Sequence, residues 1–200
     1  LRESLSVGAD EAYLVSGREF GGSDTLATSY ILSCAVKAVE EKRGEKFDVI
    51  YCGKQAIDGD TGQVGPEMAE HLGYTQITYA TELVACEGDK VQVRKETADG
   101  YDVLEAALPV VISVTKTPFE LRYPTVKKRL AANRAQIPTI TPQDMEGQID
   151  LSRAGLKGSP TKVKKSFTPQ HNKTCVVVEE DSPSASAVKL VALLSDDKKI

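Results

Sequence analysis

Between residues 25 and 43 the apolar positions Leu26, Ala27, Tyr30, Ile31, Cys34, Ala35, Ala38 and Val39 recur at spacings of three and four, which predicts an amphipathic helix. Ser23 or Asp24 supplies its cap, and Lys42-Arg43-Gly44 sets cations and a glycine at its end. Upstream, residues 1–7 read as the end of a helix stopped by Gly8, and residues 12–15 as a short strand. Residues 47–52 form a short, nearly all-apolar run, the pattern of a parallel strand buried on both faces. A second helix runs to about Leu72 and stops at Gly73. Strand, helix, strand, loop and helix in this order predict a parallel α/β sheet.

From Gln76 the texture changes to short β-branched runs, 77–86, 91–93 and 103–107, parted by turn residues at 87–90 and 98–100. That spacing predicts an antiparallel meander. Residues 107–114 then return as one buried strand, residues 125–135 form a basic helix, and residues 137–141 form a further strand. Beyond Pro142 the chain turns polar and rich in Gly, Pro and Lys, so the domain is expected to span 1–142 and residues 143–200 to form an extended arm. The arm ends in a helix over 184–194 with Pro183 in its first turn.

Composition narrows the function. The 25 Lys and Arg stand against 29 Asp and Glu, a formal net charge of −4, which argues against nucleic acid as the main partner. No apolar run reaches the roughly 20 residues of a membrane helix. The four cysteines are scattered, and neither His71 nor His171 is spaced with them as zinc ligands are, so no metal site is expected. Cys34 and Cys52 read as reduced core residues, which suits a cytoplasmic location. The chain begins at Leu1 without a methionine, so earlier elements are expected to precede it.

The candidate chemistry lies in Cys52-Gly53-Lys54-Gln55-Ala56-Ile57-Asp58-Gly59-Asp60-Thr61-Gly62-Gln63-Val64-Gly65-Pro66-Glu67, between a predicted strand and a predicted helix. Ligands of open α/β sheets sit beyond the carboxyl ends of strands, where helix N-termini offer free N–H groups. Gly59, Gly62 and Gly65 permit close backbone approach to a phosphate, and Thr61 and Gln63 add neutral donors. The loop fits neither the Walker A pattern nor GxGxxG. The same residues also suit a solvated loop in which the glycines and Asp58 and Asp60 serve turns and caps. A second stretch, Phe20-Gly21-Gly22-Ser23-Asp24-Thr25-Leu26-Ala27-Thr28, opens on the same edge of the sheet, so Asp24, Thr25 and Thr28 either line a nucleotide pocket or only cap a helix. No Ser-His-Asp or Cys-His arrangement is available, which leaves no catalytic residues to name and disfavours a hydrolase.

The run from Gly53 to Pro66 resembles the signature of the electron transfer flavoprotein beta subunit, as do Ala107-Leu108-Pro109-Val110-Val111, Leu121-Arg122-Tyr123-Pro124-Thr125 and Gly155-Leu156-Lys157-Gly158-Ser159-Pro160. The resemblance implies that roughly the first third of the subunit precedes this stretch. The resemblance implies a Rossmann-like, adenine-nucleotide-binding α/β fold and an electron carrier that works as half of a heterodimer with the alpha subunit. It implies FAD, or alternatively AMP, at residues 56–67. The Asp58-Gly59-Asp60-Thr61-Gly62-Gln63-Val64-Gly65-Pro66 form is similar to the bacterial, electron-bifurcating branch, with Gly62 in place of an alanine. In that branch NADH is the donor, ferredoxin or flavodoxin is one acceptor, and an acyl-CoA dehydrogenase-type flavoprotein is a partner. Oxidoreductase activity is then expected only within a complex. The basic stretch from Tyr123 to Arg134 is similar to the family's docking loop, with Leu130 as apolar anchor and Tyr123, Lys127 and Arg129 beside it; without the resemblance it reads as a solvated face. The competing readings are a subunit with purely structural AMP and a stand-alone adenine-nucleotide-binding regulatory module.

Overall fold

The structure is a computed structural model and describes residues 1–169 and 175–199, so His171 lies outside the described residues. Two compact units divide the chain, Leu1–Lys162 and Val163–Ile200. In chain order the first unit carries α1 (Arg2–Val7), β1 (Leu14–Val15), α2 (Thr25–Arg43), β2 (Val49–Gly53), α3 (Val64–Leu72), β3 (Thr75–Glu87), β4 (Lys90–Thr97), β5 (Gly100–Ala107), β6 (Val110–Val114), α4 (Val126–Arg134), β7 (Thr139–Ile140) and the single turn α5 (Gly155–Gly158).

The main sheet has the order β2-β6-β3-β4-β5. Its first three strands are parallel, and β3, β4 and β5 form the expected antiparallel meander. β3 belongs to both halves, pairing with β6 through Thr75, Gln76 and Ile77 and with β4 beyond Ala80. The change of partner sits at a register shift around Tyr79, whose φ of 60° is a bulge conformation, and whose N–H donates to Ser113 Oγ at 3.1 Å. Ile77, Val91, Val93, Val110 and Ile112 bury their side chains together on one face. Each such aliphatic side chain contributes about 1.5–3 kcal/mol on leaving water. β1 and β7 form a separate parallel pair beside the face of α2 that carries Cys34, Ala35 and Val39.

Helix ends follow the local chemistry. Asp24 caps α2 by accepting from Ala27 N at 3.0 Å, and Gly44 closes it at φ 75°. Thr125 caps α4. At the other end of α4 the Arg2 guanidinium donates to the carbonyls of Ala132, Asn133 and Ala135 at 2.6, 3.0 and 3.1 Å. It thereby satisfies acceptors that the helix leaves open and meets the negative end of its dipole.

Three expectations are corrected. β2 is not buried on both faces: it is an edge strand among the described residues, and Tyr51 is 55% exposed. The strand expected over 107–114 covers only Val110–Val114, because Ala107 closes β5 and Pro109, which has no N–H to give a ladder, lies between the two. Finally, the compact unit does not end at 142 but continues to Lys162. Met145, Ala154 and Ser159 are buried, although the polar composition around them hides this.

The second unit carries α6 (Pro183–Asp196), capped by Ser182, whose hydroxyl accepts from Ala185 N at 3.2 Å. Val188, Leu190, Val191 and Leu193 on this helix are exposed. No helix of the described residues is long and apolar enough to cross a membrane.

Candidate functional site

The loop after β2 leaves the carboxyl end of the parallel strands: Lys54 N donates to Val114 O at 3.0 Å, tying its root to the end of β6. It then stands out from the protein, with residues 53–61 exposed and Ile57 fully so, at 101%. Asp60 N closes a turn onto Ala56 O at 3.0 Å, and Asp60 and Gly62 take left-handed φ values of 53° and 65°. The acidic side chains are turned back on the loop. Asp58 Oδ1 accepts from Gly59 N at 3.0 Å, and Asp60 Oδ1 accepts from Gln55 Nε2. Two donors expected to face a phosphate, the N–H groups of Gly59 and Asp60, are therefore already used.

The free donors lie further on. The N–H groups of Thr61, Gly62 and Gln63 find no partner among the described residues, and Gln63 gives α3 no side-chain cap, so Val64 and Gly65 keep their amides open. Five open amides near the positive end of a helix are groups able to accept an oxyanion, and Thr61 adds an exposed hydroxyl in the same stretch. Pro66 contributes no donor but fits the first turn of a helix. Gly65 has another role than the expected close approach to a ligand. It is buried, and a Cβ there would stand 2.5 Å from Cys52 Sγ, so it lets the start of α3 rest on β2.

The second expected stretch does meet the first. Thr25 Oγ1 lies 3.1 Å from Gln63 Oε1 and 3.5 Å from Glu67 Oε1, which sets the N-termini of α2 and α3 side by side. Thr28 is half-buried within the first turn of α2, its N–H donating to Asp24 O at 2.9 Å. Asp24 faces a different task. Besides capping α2, its carboxylate accepts from Thr161 N at 3.0 Å and Thr161 Oγ1 at 2.9 Å. Desolvation alone would push this carboxyl up; the amides of Thr161 and Ala27 and the hydroxyls of Thr161 and Ser159 outweigh it and hold the group below its ordinary range. Ser159 Oγ also accepts from Asp24 N at 2.9 Å, and Ser23 Oγ accepts from Gly155 N at 3.0 Å. The segment 151–161 is thus a latch on the start of α2. Sequence reasoning missed this latch, although the spacing of Gly155, Gly158 and Ser159 carries its signal.

Of the expected docking residues, Tyr123 is 87% and Leu130 49% exposed, and Lys127 and Arg129 are exposed on the same short helix. Phe119, Leu121 and Val126 add further exposed apolar surface nearby. No group of three or more His, Cys, Asp or Glu among the described residues could hold a metal ion.

A profile described as "Electron transfer flavoprotein domain" matches residues 1–145. The chain is 47% identical over 203 residues to "Electron transfer flavoprotein subunit beta" of Megasphaera elsdenii, covering 100% of this chain and 74% of that protein. It is 40% identical over 183 residues to "Acryloyl-CoA reductase electron transfer subunit gamma" of Anaerotignum propionicum, covering 90% of this chain and 67% of that one. It is also 40% identical over 169 residues to "Caffeyl-CoA reductase-Etf complex subunit CarD" of Acetobacterium woodii, 84% of this chain and 62% of the relative. With matches of this extent, laid over a mostly parallel sheet and the loop that follows β2, the chain belongs to the electron transfer flavoprotein family, on the side of its beta subunits.

Proposed function

We propose that this chain holds FAD at residues 56–66 as the beta half of a heterodimeric electron transfer flavoprotein. In this reading it carries electrons from NADH or another donor to an acyl-CoA dehydrogenase-type flavoprotein, with bifurcation to ferredoxin or flavodoxin. The observation that carries the reading is the pairing of two helix starts through Thr25 and Gln63, next to amides that have no partner among the described residues. When bound, a flavin supplies the one- and two-electron chemistry. The chain's own part is to bind and orient. The amides of residues 61–65 and the Thr61 hydroxyl take up the diphosphate charge, while Asp58 and Asp60 are kept off it by their bonds to Gly59 N and Gln55. Removing the hydroxyl with Thr61→Ala is expected to cost about 1–3 kcal/mol of nucleotide affinity, read as faster loss of flavin on dilution. Unchanged retention would take Thr61 out of the site.

The names of two relatives, from the acryloyl-CoA and caffeyl-CoA reductase systems, support an acyl-CoA-linked partner. We assign its docking to α4, with Leu130 as anchor and Tyr123, Lys127 and Arg129 around it. The exposed cations steer an acidic partner, and this steering weakens as salt shortens the Debye length from ~10 Å at 0.1 M to ~3 Å at 1 M. The leucine contributes burial that salt barely touches. Leu130→Ala is therefore expected to slow electron transfer to the dehydrogenase at every ionic strength, with flavin content unchanged. Transfer at the wild-type rate would move the anchor elsewhere. The arm beyond Lys162, whose α6 residues Val188, Leu190, Val191 and Leu193 are exposed among the described residues, is assigned to the alpha subunit's surface.

A further inference from the structure

A cavity of about 240 Å³ lies well along α2 and α3 from the site above, lined by Tyr30, Ser33, Cys34, Lys37, His71, Gln148 and Arg153. Four of these residues, Tyr30, Ser33, Cys34 and Lys37, share one face of α2 through their spacing of three and four. The walls are stacked into place. The Arg153 guanidinium lies 4.0 Å over the Tyr30 ring, and the Tyr30 and His71 rings meet edge to face at 5.6 Å. The Tyr30 hydroxyl accepts from Asp150 N at 2.8 Å, which ties Tyr30 to the turn that carries Arg153. Cys34 Sγ donates to Gln148 O at 3.2 Å on the same side.

Two cations, Lys37 and Arg153, line the cavity, and neither meets a carboxylate in an ion pair among the described residues. Of the nearby carboxylates, Glu41 accepts from Gln148 Nε2 and Asp150 accepts from Ser152 N at 2.9 Å, while Glu67, whose Oε2 is buried without a partner, and Glu70 face His71 and pair with neither Lys37 nor Arg153. Two wall residues also keep a buried polar atom without a partner, His71 Nε2 and Gln148 Oε1. Unpaired polar atoms are costly in a protein interior, and a few of them beside two free cations on a concave wall mark a place where a polar ligand belongs. Ser33 adds a hydroxyl, now donating to Ser29 O at 2.8 Å.

We propose that this cavity is an oxyanion site for a phosphate group, held by Arg153 and Lys37 with His71 and Ser33 completing its shell. A tetrahedral oxyanion suits a planar, two-pronged guanidinium on one side and a point charge on the other. Hydrogen phosphate also carries an O–H as well as acceptor oxygens, so it serves a cavity whose walls hold both kinds of group, where a carboxylate brings acceptors alone. His71 is surrounded by Lys37 and Tyr30 from α2, Arg153 from the following turn, and Glu67 and Glu70 on its own helix. Burial first, and then the Arg153 and Lys37 charges, hold its imidazole below the ordinary histidine range against the opposing pull of Glu67 and Glu70. A bound anion reverses that balance, so binding takes up a proton and raises the pKa of His71. This site stands independently of the nucleotide reading of residues 56–66.

The test uses the full-length subunit in complex with its alpha partner and saturated with FAD, titrated with inorganic phosphate. Saturable binding is expected, weakened about tenfold or more by Arg153→Gln and by Lys37→Gln, because each removes a charge-assisted contact. Lys37 is exposed, so its variant reports on binding even where Arg153→Gln disturbs the stack on Tyr30. Thr61→Ala leaves this binding unchanged. The histidine resonance that His71→Gln removes should titrate at higher pH with phosphate than without, by about one unit, in proton NMR. Absence of saturable phosphate binding, acetate binding as tightly as phosphate, or equal affinity in both charge variants and wild type overturns the proposal.

Discussion

Gly155→Ala is expected to release the segment 151–161 from the start of α2 and to destabilise the first compact unit by roughly 2–4 kcal/mol, combining a left-handed backbone cost with overpacking. Gly155 sits at φ 61°, and a Cβ on it would run into the carbonyl oxygen of Glu19, a backbone atom that cannot swing aside as a side chain does. Gly158 is as tightly placed, its missing Cβ directed at the Arg153 carbonyl. What the substitution loosens is the set of bonds from Ser23, Asp24, Ser159 and Thr161 that fixes the mouth of α2. Gly147 provides the control. It too has a positive φ, 82°, but open space lies where its Cβ would go, so Gly147→Ala should cost only about 1 kcal/mol. Urea unfolding of the two variants separates these outcomes. Equal losses would mean that the close packing around Gly155 has no energetic weight.

Gly65→Val is expected to cost roughly 1–3 kcal/mol of stability through overpacking and, in addition, most of the bound nucleotide. The first turn of α3 lies so near β2 that even one methyl group at residue 65 would stand 2.5 Å from Cys52 Sγ and 3.8 Å from Ser113 Cβ. The helix start must then lift from the sheet and carry the open amides of residues 61–65 with it. Shrinking the obstacle relieves the strain: the double variant Gly65→Ala with Cys52→Ala should hold nucleotide better than Gly65→Ala alone. If the second substitution restores nothing, the contact between α3 and β2 is not what positions the loop.

How far the sequence showed all this differs from region to region. The apolar spacing in α2, the turn residues around the meander and the glycines after α2 and α3 are local signals, and the elements formed there with their ends close to the expected residues. Long-range partnership left weaker traces. Residues 47–52 have the composition of a central strand, but among the described residues β2 pairs on one side only, with β6, and Tyr51 is exposed. The segment 143–162 looked too polar to be part of a core because it is held largely by hydrogen bonds and by tight glycine packing, with Met145 and Ala154 as its few buried apolar side chains. At the candidate site the loop and Thr25 were legible from their positions before helices. That Asp24 serves the latch, that Asp58 uses up Gly59 N, and that Gly65 answers to Cys52 were not, since each depends on a partner that the spacing does not name.

The assignment of FAD to residues 56–66 is tested most directly by the nucleotide released, on acid extraction, from the complex of the full-length subunit with its alpha partner. Two FAD per complex, falling toward one when Thr61→Ala or Gly65→Val is introduced here, is the result expected. One FAD accompanied by AMP, or a second FAD that both substitutions leave in place, would contradict it.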